Sequence, residues 1–97
     1  MKEATENIIS VVAEVFGLDI ATLCNGSRKR DVVEARRAAA LLCRRYGIPA
    51  RFLAERLGVS RWSVNRSQTD GLHDDGLLFN KRLETAYKHI NSTYMAQ

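Results

Sequence analysis

Apolar residues recur at helical spacing along this chain, separated by polar or glycine-bearing breaks. Ile8, Ile9, Val12, Val15 and Phe16 form the first stripe and predict a helix from about Glu6 to Phe16, with Thr5 as N-cap and Gly17 at its end. A short helix is expected from about Ile20 to Leu23, capped by Asp19, with Leu18, Ile20 and Leu23 supplying its apolar contacts. Asn25-Gly26-Ser27 is turn chemistry. The longest predicted helix then runs from about Asp31 to Tyr46, with Gly47 just past its end. Asp31 at the cap and Glu34 three residues on make a capping-box pattern. Ala35, Ala38, Ala39, Leu42, Cys43 and Tyr46 make its buried face, and Arg36, Arg37, Arg44 and Arg45 leave the opposite face positive. So many alanines on one side let neighbouring helices approach closely.

Leu53 to Arg66, LAERLGVSRWSVNR, reads as helix, tight turn and second helix, within a helix-turn-helix spanning about 49–67. Pro49 suits the first position of the leading helix, and Phe52, Leu53 and Leu57 are its core residues. Ala54 is small where two helices cross, and Gly58 can take the positive φ that ends a helix. Val59 and Val64 are apolar plugs, and Ser60 can cap the second helix, expected over Arg61 to Ser67. Arg61, Trp62, Asn65 and Arg66 are left to point outward. Residues 68–76 read as a polar loop, and a last helix is expected from Leu77 to Ile90, with Leu78, Leu83, Ala86, Tyr87 and Ile90 inward. Residues 91–97 read as a frayed tail. The pattern predicts one all-α domain of five to six helices over residues 1–97.

Charge sharpens this picture. The chain carries +4 overall, yet residues 28–66 hold eleven basic and three acidic side chains, a block of +8 between acidic flanks. Such a block suggests a polyanion partner. Ten of the eleven are arginines, which favour bidentate contact with phosphate or guanine. Cys24 and Cys43 sit at apolar helical positions, so core thiols rather than a disulfide are expected in a cytoplasmic protein. His73 and His89 lack partners at ligand spacing, so neither metal nor cofactor is expected. No Ser/His/Asp or Cys/His set is visible, and Asp74-Asp75 falls in a polar loop, so the chain does not read as an enzyme. It contains no apolar run long enough to span a membrane.

VAEVFGLDIATL, then SRKR, then DVVEARRAAALLCRR, then the helix-turn-helix is an order that resembles the C-terminal DNA-binding domain of the bacterial chromosomal replication initiator, the DnaA family. The resemblance covers roughly Ile8 to Arg66 and is strongest in VAE at 12–14, the basic loop at 28–30 and VVEAR at 32–36. It implies an all-helical fold similar to the Trp repressor, with the helix-turn-helix in the major groove of double-stranded DNA. It also implies that Arg28 reaches the adjacent minor groove and that Arg36 holds the phosphate backbone. The family's Gly-Arg-Asp-His-Thr-Thr-Val signature is absent; Val59 to Val64 stand in its place, so the target sequence does not carry over. No Gly-rich phosphate loop with Lys-Ser/Thr appears, so a complete chain of this sequence would not be the initiator ATPase.

The expected DNA contacts are therefore Arg28, Lys29 and Arg30 in the basic loop, Arg36 on the long helix, Arg51 on the leading helix, and Ser60, Arg61, Trp62, Ser63, Asn65 and Arg66 around the reading head. Arg61, Asn65 and Arg66 are the expected base readers, Ser60 and Ser63 caps or phosphate contacts, and Trp62 an exposed or half-exposed side chain. Arg44, Arg45, Arg51 and Arg56 are general phosphate candidates. A role in replication or transcription on the nucleoid follows, with a homodimer or a tether to another domain or protein to extend the contact. The rival reading is a helical adaptor that binds protein; the +8 block argues against it, because protein interfaces are poor in Lys and gain only a few Arg anchors.

Overall fold

Alanine decides where the helices meet. In the computed structural model, which describes residues 2–25, 28–70 and 76–94, Ala35, Ala38, Ala39 and Ala40 are all buried on one central helix. Six helices follow in order: α1 (Lys2–Phe16), α2 (Ile20–Leu23), α3 (Arg30–Arg45), α4 (Ala50–Leu57), α5 (Arg61–Asp70) and α6 (Gly76–Thr93). The described residues form no strand. The central helix, α3, packs against all the others, and short alanine side chains leave room for that many neighbours. α1 and α6 pack together on one side of it; α4 and α5 pack together on another.

The core joins Ile8, Ile9, Val12 and Phe16 of α1 to Leu42 and Cys43 of α3, Leu53 and Leu57 of α4, and Phe79, Ala86 and Ile90 of α6. Both cysteines are free thiols. Burial pushes the Cys43 thiol up to about 12, because a thiolate there would lie among apolar side chains. The far end of α3 is locked to α6 by polar and aromatic contacts. Tyr46 donates to Asn91 Oδ1 at 2.6 Å, its ring lies 5.6 Å from that of Tyr87, and Arg45 stacks over Tyr87 and pairs with Glu84.

Several boundaries differ from the expected ones. α1 starts at Lys2, so Thr5 is a buried helical residue and not an N-cap. Lys, Glu and Ala at positions 2–4 are good helix formers and extend the first turn. α3 starts at Arg30, with Lys29 at the cap, so Asp31 does not cap it. Asp31 instead lies in the first turn, where its charge suits the helix dipole, and Glu34 pairs with Arg30 at 3.3 Å. Pro49 is the cap of α4, one residue before its first turn. α6, at 18 residues, exceeds α3, at 16. It also runs on to Thr93, past the point where fraying was expected. Its inward face is set by Phe79, which is buried, whereas Leu78 is 61% exposed. Positions 79, 83, 86 and 90 keep a 4-3-4 spacing that Leu78 cannot join.

Gly26 and Ser27 of the expected turn, residues 71–75 of the expected loop with His73, Asp74 and Asp75, and residues 95–97 of the expected tail lie outside the described residues. Among the described residues no helix is long and apolar enough to cross a membrane.

Candidate nucleic-acid interface

The reading head is built by one turn. α4 ends at Gly58, whose φ of 71° is left-handed, and Val59 N–H then donates back to the Ala54 carbonyl at 3.0 Å. That bond closes the helix end in the manner of a glycine C-cap. Val59 packs against the core, Val64 is buried at 3% exposure, and α5 is thereby fixed across α4 and α3. Ser60 Oγ accepts from the Ser63 backbone N–H at 3.1 Å and donates to Ser63 Oγ at 3.1 Å. It caps α5 as expected, and the two hydroxyls are tied to each other.

With Val64 turned inward, Arg61, Trp62, Ser63, Asn65 and Arg66 are exposed. Trp62 is 66% exposed, and the Arg66 guanidinium sits over its ring, 5.1 Å from the centroid. The helix is longer than expected, reaching Asp70, because polar residues carry no apolar period that would mark its continuation. Gln68, expected in a loop, lies on α5 and donates to the Ala40 carbonyl at 3.0 Å. Arg44 donates to the Gln68 carbonyl at 3.2 Å, meeting one of the last carbonyls of α5, which have no partner within the helix. α5 is therefore held to α3 by polar bonds as well as by apolar packing. Sequence reasoning missed Gln68; its one available signal was its place four residues after Val64, on the same helical face.

The basic residues divide into two groups. Arg45 is occupied by Glu84 and Tyr87, and Arg56 by Glu6 and by Cys24 Sγ, the latter at 3.2 Å. The Glu6 carboxylate raises the Arg56 pKa above its ordinary value. These two fasten helices together. The other group surrounds α5. Arg28 and Lys29 are exposed before α3, and Arg30 is exposed in its first turn. Arg51 shares an open groove with Glu55, Val59 and Arg61, so the structure brings two predicted contacts to one rim. A second groove, between α3 and α5, is lined by Val33, Arg36, Ser63 and Ser67. Val33 lies one helical turn from Arg30, so the basic segment leads straight to this groove.

Arg36 and Arg37 do not lie on a solvated positive face as expected; both are half-buried. Arg36 Nε donates to the Leu23 carbonyl at 2.8 Å. Leu23 is the last residue of α2, so Arg36 satisfies a helix-end carbonyl and pins α2, from which the chain continues toward the basic segment.

A fold in which α3 carries a turn-linked pair of helices, with a basic segment at its own start, matches a known design. Residues 5–63 match the family model of the bacterial DnaA protein helix-turn-helix. The chain belongs to that family. No curated protein matches it in sequence. The DnaA helix-turn-helix match ends at Ser63, inside α5. Asn65 and Arg66 and the whole of α6 therefore lie beyond the residues matched by that family model. A DnaA-type helix-turn-helix is a DNA-binding module and not a catalytic one.

Proposed function

We propose that this DnaA-type domain binds double-stranded DNA with sequence preference, in the control of replication or transcription. The carrying observation is α5 itself. It is a capped helix whose one buried apolar residue among those described is Val64, and whose outer face offers Arg61, Trp62, Asn65 and Arg66. On this reading α5 enters the major groove, where arginine and asparagine pair with guanine and adenine edges. Arg51 grips phosphate at the rim it shares with Arg61, and Ser60 and Ser63 lie beside the backbone. Arg28, Lys29 and Arg30 follow the adjacent minor groove, as in the resemblance to the initiator family. Arg36, which lines the α3–α5 groove, is the phosphate contact that the resemblance to the initiator family implies. A single module of this size covers only about 600–1,000 Å² of DNA-facing surface, so a second copy or a tether to another domain extends the contact. The protein then works in the cytoplasm, on the nucleoid.

The test is binding to a random duplex pool across a salt series. Each phosphate contact contributes about −0.9 to the slope of log affinity against log salt, so Arg51→Ala is expected to flatten the slope by about one. Affinity that stays level from low to moderate salt overturns the proposal. A pool that yields no enriched sequence removes the sequence preference and leaves a backbone binder. Capture of a protein partner that survives nuclease and high salt, with no DNA retained, favours the adaptor reading instead.

A further inference from the structure

Trp62 is the only tryptophan of the chain, and it is 66% exposed on the outer face of α5. An aromatic side chain of that size in water is unusual unless something covers it. It is not bare on both faces, because the Arg66 guanidinium lies 5.1 Å from its centroid, inside the roughly 6 Å range of a cation–π contact. The two residues are four apart and so adjacent along one helical face. Both lie about 160° around the helix from the buried Val64, at the crest of the reading head.

We propose that Trp62 is a positioning residue that holds Arg66 edge-on for a guanine, so that the preferred duplex carries a G·C pair opposite Arg66. This inference rests on the major-groove reading above. A guanidinium that lies flat on an indole directs its in-plane N–H donors outward from the edge, and the cation–π contact between Arg66 and Trp62 favours that orientation when DNA is bound. Guanine O6 and N7 are a matched pair of acceptors for that edge. A free arginine must give up many rotamers to present the same geometry, and stacking removes part of that cost before DNA arrives. Arg61 is set differently. It lines a groove with Arg51, Val59 and Glu55, on the first turn of α5. Specificity for guanine is thus assigned to the second turn of α5, beyond Ser63, where the DnaA match ends.

The test selects duplexes from a random pool with the full chain as wild type, Arg66→Ala, Trp62→Ala and Trp62→Phe. All three substitutions are at exposed positions, and thermal melting checks that each variant folds. Wild type is expected to prefer guanine at one position by about tenfold or more. Arg66→Ala should abolish that preference. Trp62→Ala should reduce it about threefold at the same pair, with the salt slope unchanged, and Trp62→Phe should restore most of it. If Trp62→Ala acts at a different pair from Arg66→Ala, or weakens all duplexes equally, the positioning role is overturned and the DNA-reading function stands. If wild type enriches no sequence at all, the major-groove reading falls and takes this inference with it.

Discussion

Gly58 makes the turn between α4 and α5, and its substitution isolates one physical cost. A Cβ built there meets nothing within 4 Å, so the penalty is the left-handed backbone alone. Gly58→Ala is expected to destabilise the domain by about 1–2 kcal/mol, and Gly58→Asn by less, as read from urea unfolding. Equal stability of wild type and Gly58→Ala would mean that the turn takes another conformation in solution. Cys43 tests the interior. Its thiol is held neutral to about 12 in the folded chain, against an ordinary value of 9.0. Between those values the unfolded chain has lost a proton that the folded chain keeps. Stability therefore falls as pH rises, at up to about 1.4 kcal/mol per pH unit. Cys43→Ala lacks this loss. Its deficit relative to wild type, set at neutral pH by lost packing, should narrow from pH 9 upward. A constant deficit would place Cys43 in contact with water.

At the scale of the element, α5 buries one apolar side chain among those described, Val64, and its hold on α3 through Gln68 and Arg44 becomes correspondingly important. Gln68→Ala is expected to cost about 1 kcal/mol and to lower amide-exchange protection in α5 more than in α1 or α3. Uniform loss across all helices would mean that the bond to Ala40 supports the whole fold and not α5 in particular. The same element shows what a sequence can reveal. α4, the turn and the start of α5 were legible because Ala54, Gly58, Ser60 and Val64 each answer a separate local requirement. The end of α5 was not, because a polar helix held by side-chain bonds has no period to read. In α6 the run Leu77-Leu78-Phe79 offered more than one register, and only the long-range spacing to Leu83, Ala86 and Ile90 selects Phe79. Arg36 was legible as an important residue but not as a half-buried one, since its partner is a backbone carbonyl thirteen positions away.

At the scale of the molecule, the family match and the core do not coincide. The DnaA helix-turn-helix match stops at Ser63, yet α6 contributes Phe79, Ala86 and Ile90 to the same core as α1 and α3. Phe79 and Phe16 meet with ring centroids 6.4 Å apart, and Arg82 covers the Phe16 ring from α6 at 5.2 Å. α1 is therefore sandwiched between α3 and α6, and removing the α6 side would bare its apolar stripe. Truncating a buried phenylalanine costs about 3–5 kcal/mol, a large share of the 5–15 kcal/mol typical of a whole domain. In a domain of this size each kcal/mol shifts Tm by about 4–8 °C, so Phe79→Ala should lower Tm by about 12 °C or more. Because Phe79 is buried in the core and is not one of the exposed side chains of the reading head, DNA affinity well below the new Tm should stay within about twofold of wild type. Loss of helical circular dichroism and loss of DNA binding should then occur in one transition, since α3 carries both α6 and α5. A Tm within about 2 °C of wild type would make α6 an appendage to the helix-turn-helix. Two separate transitions would mean that the reading head can stand on α3 without the packing of α6 behind it.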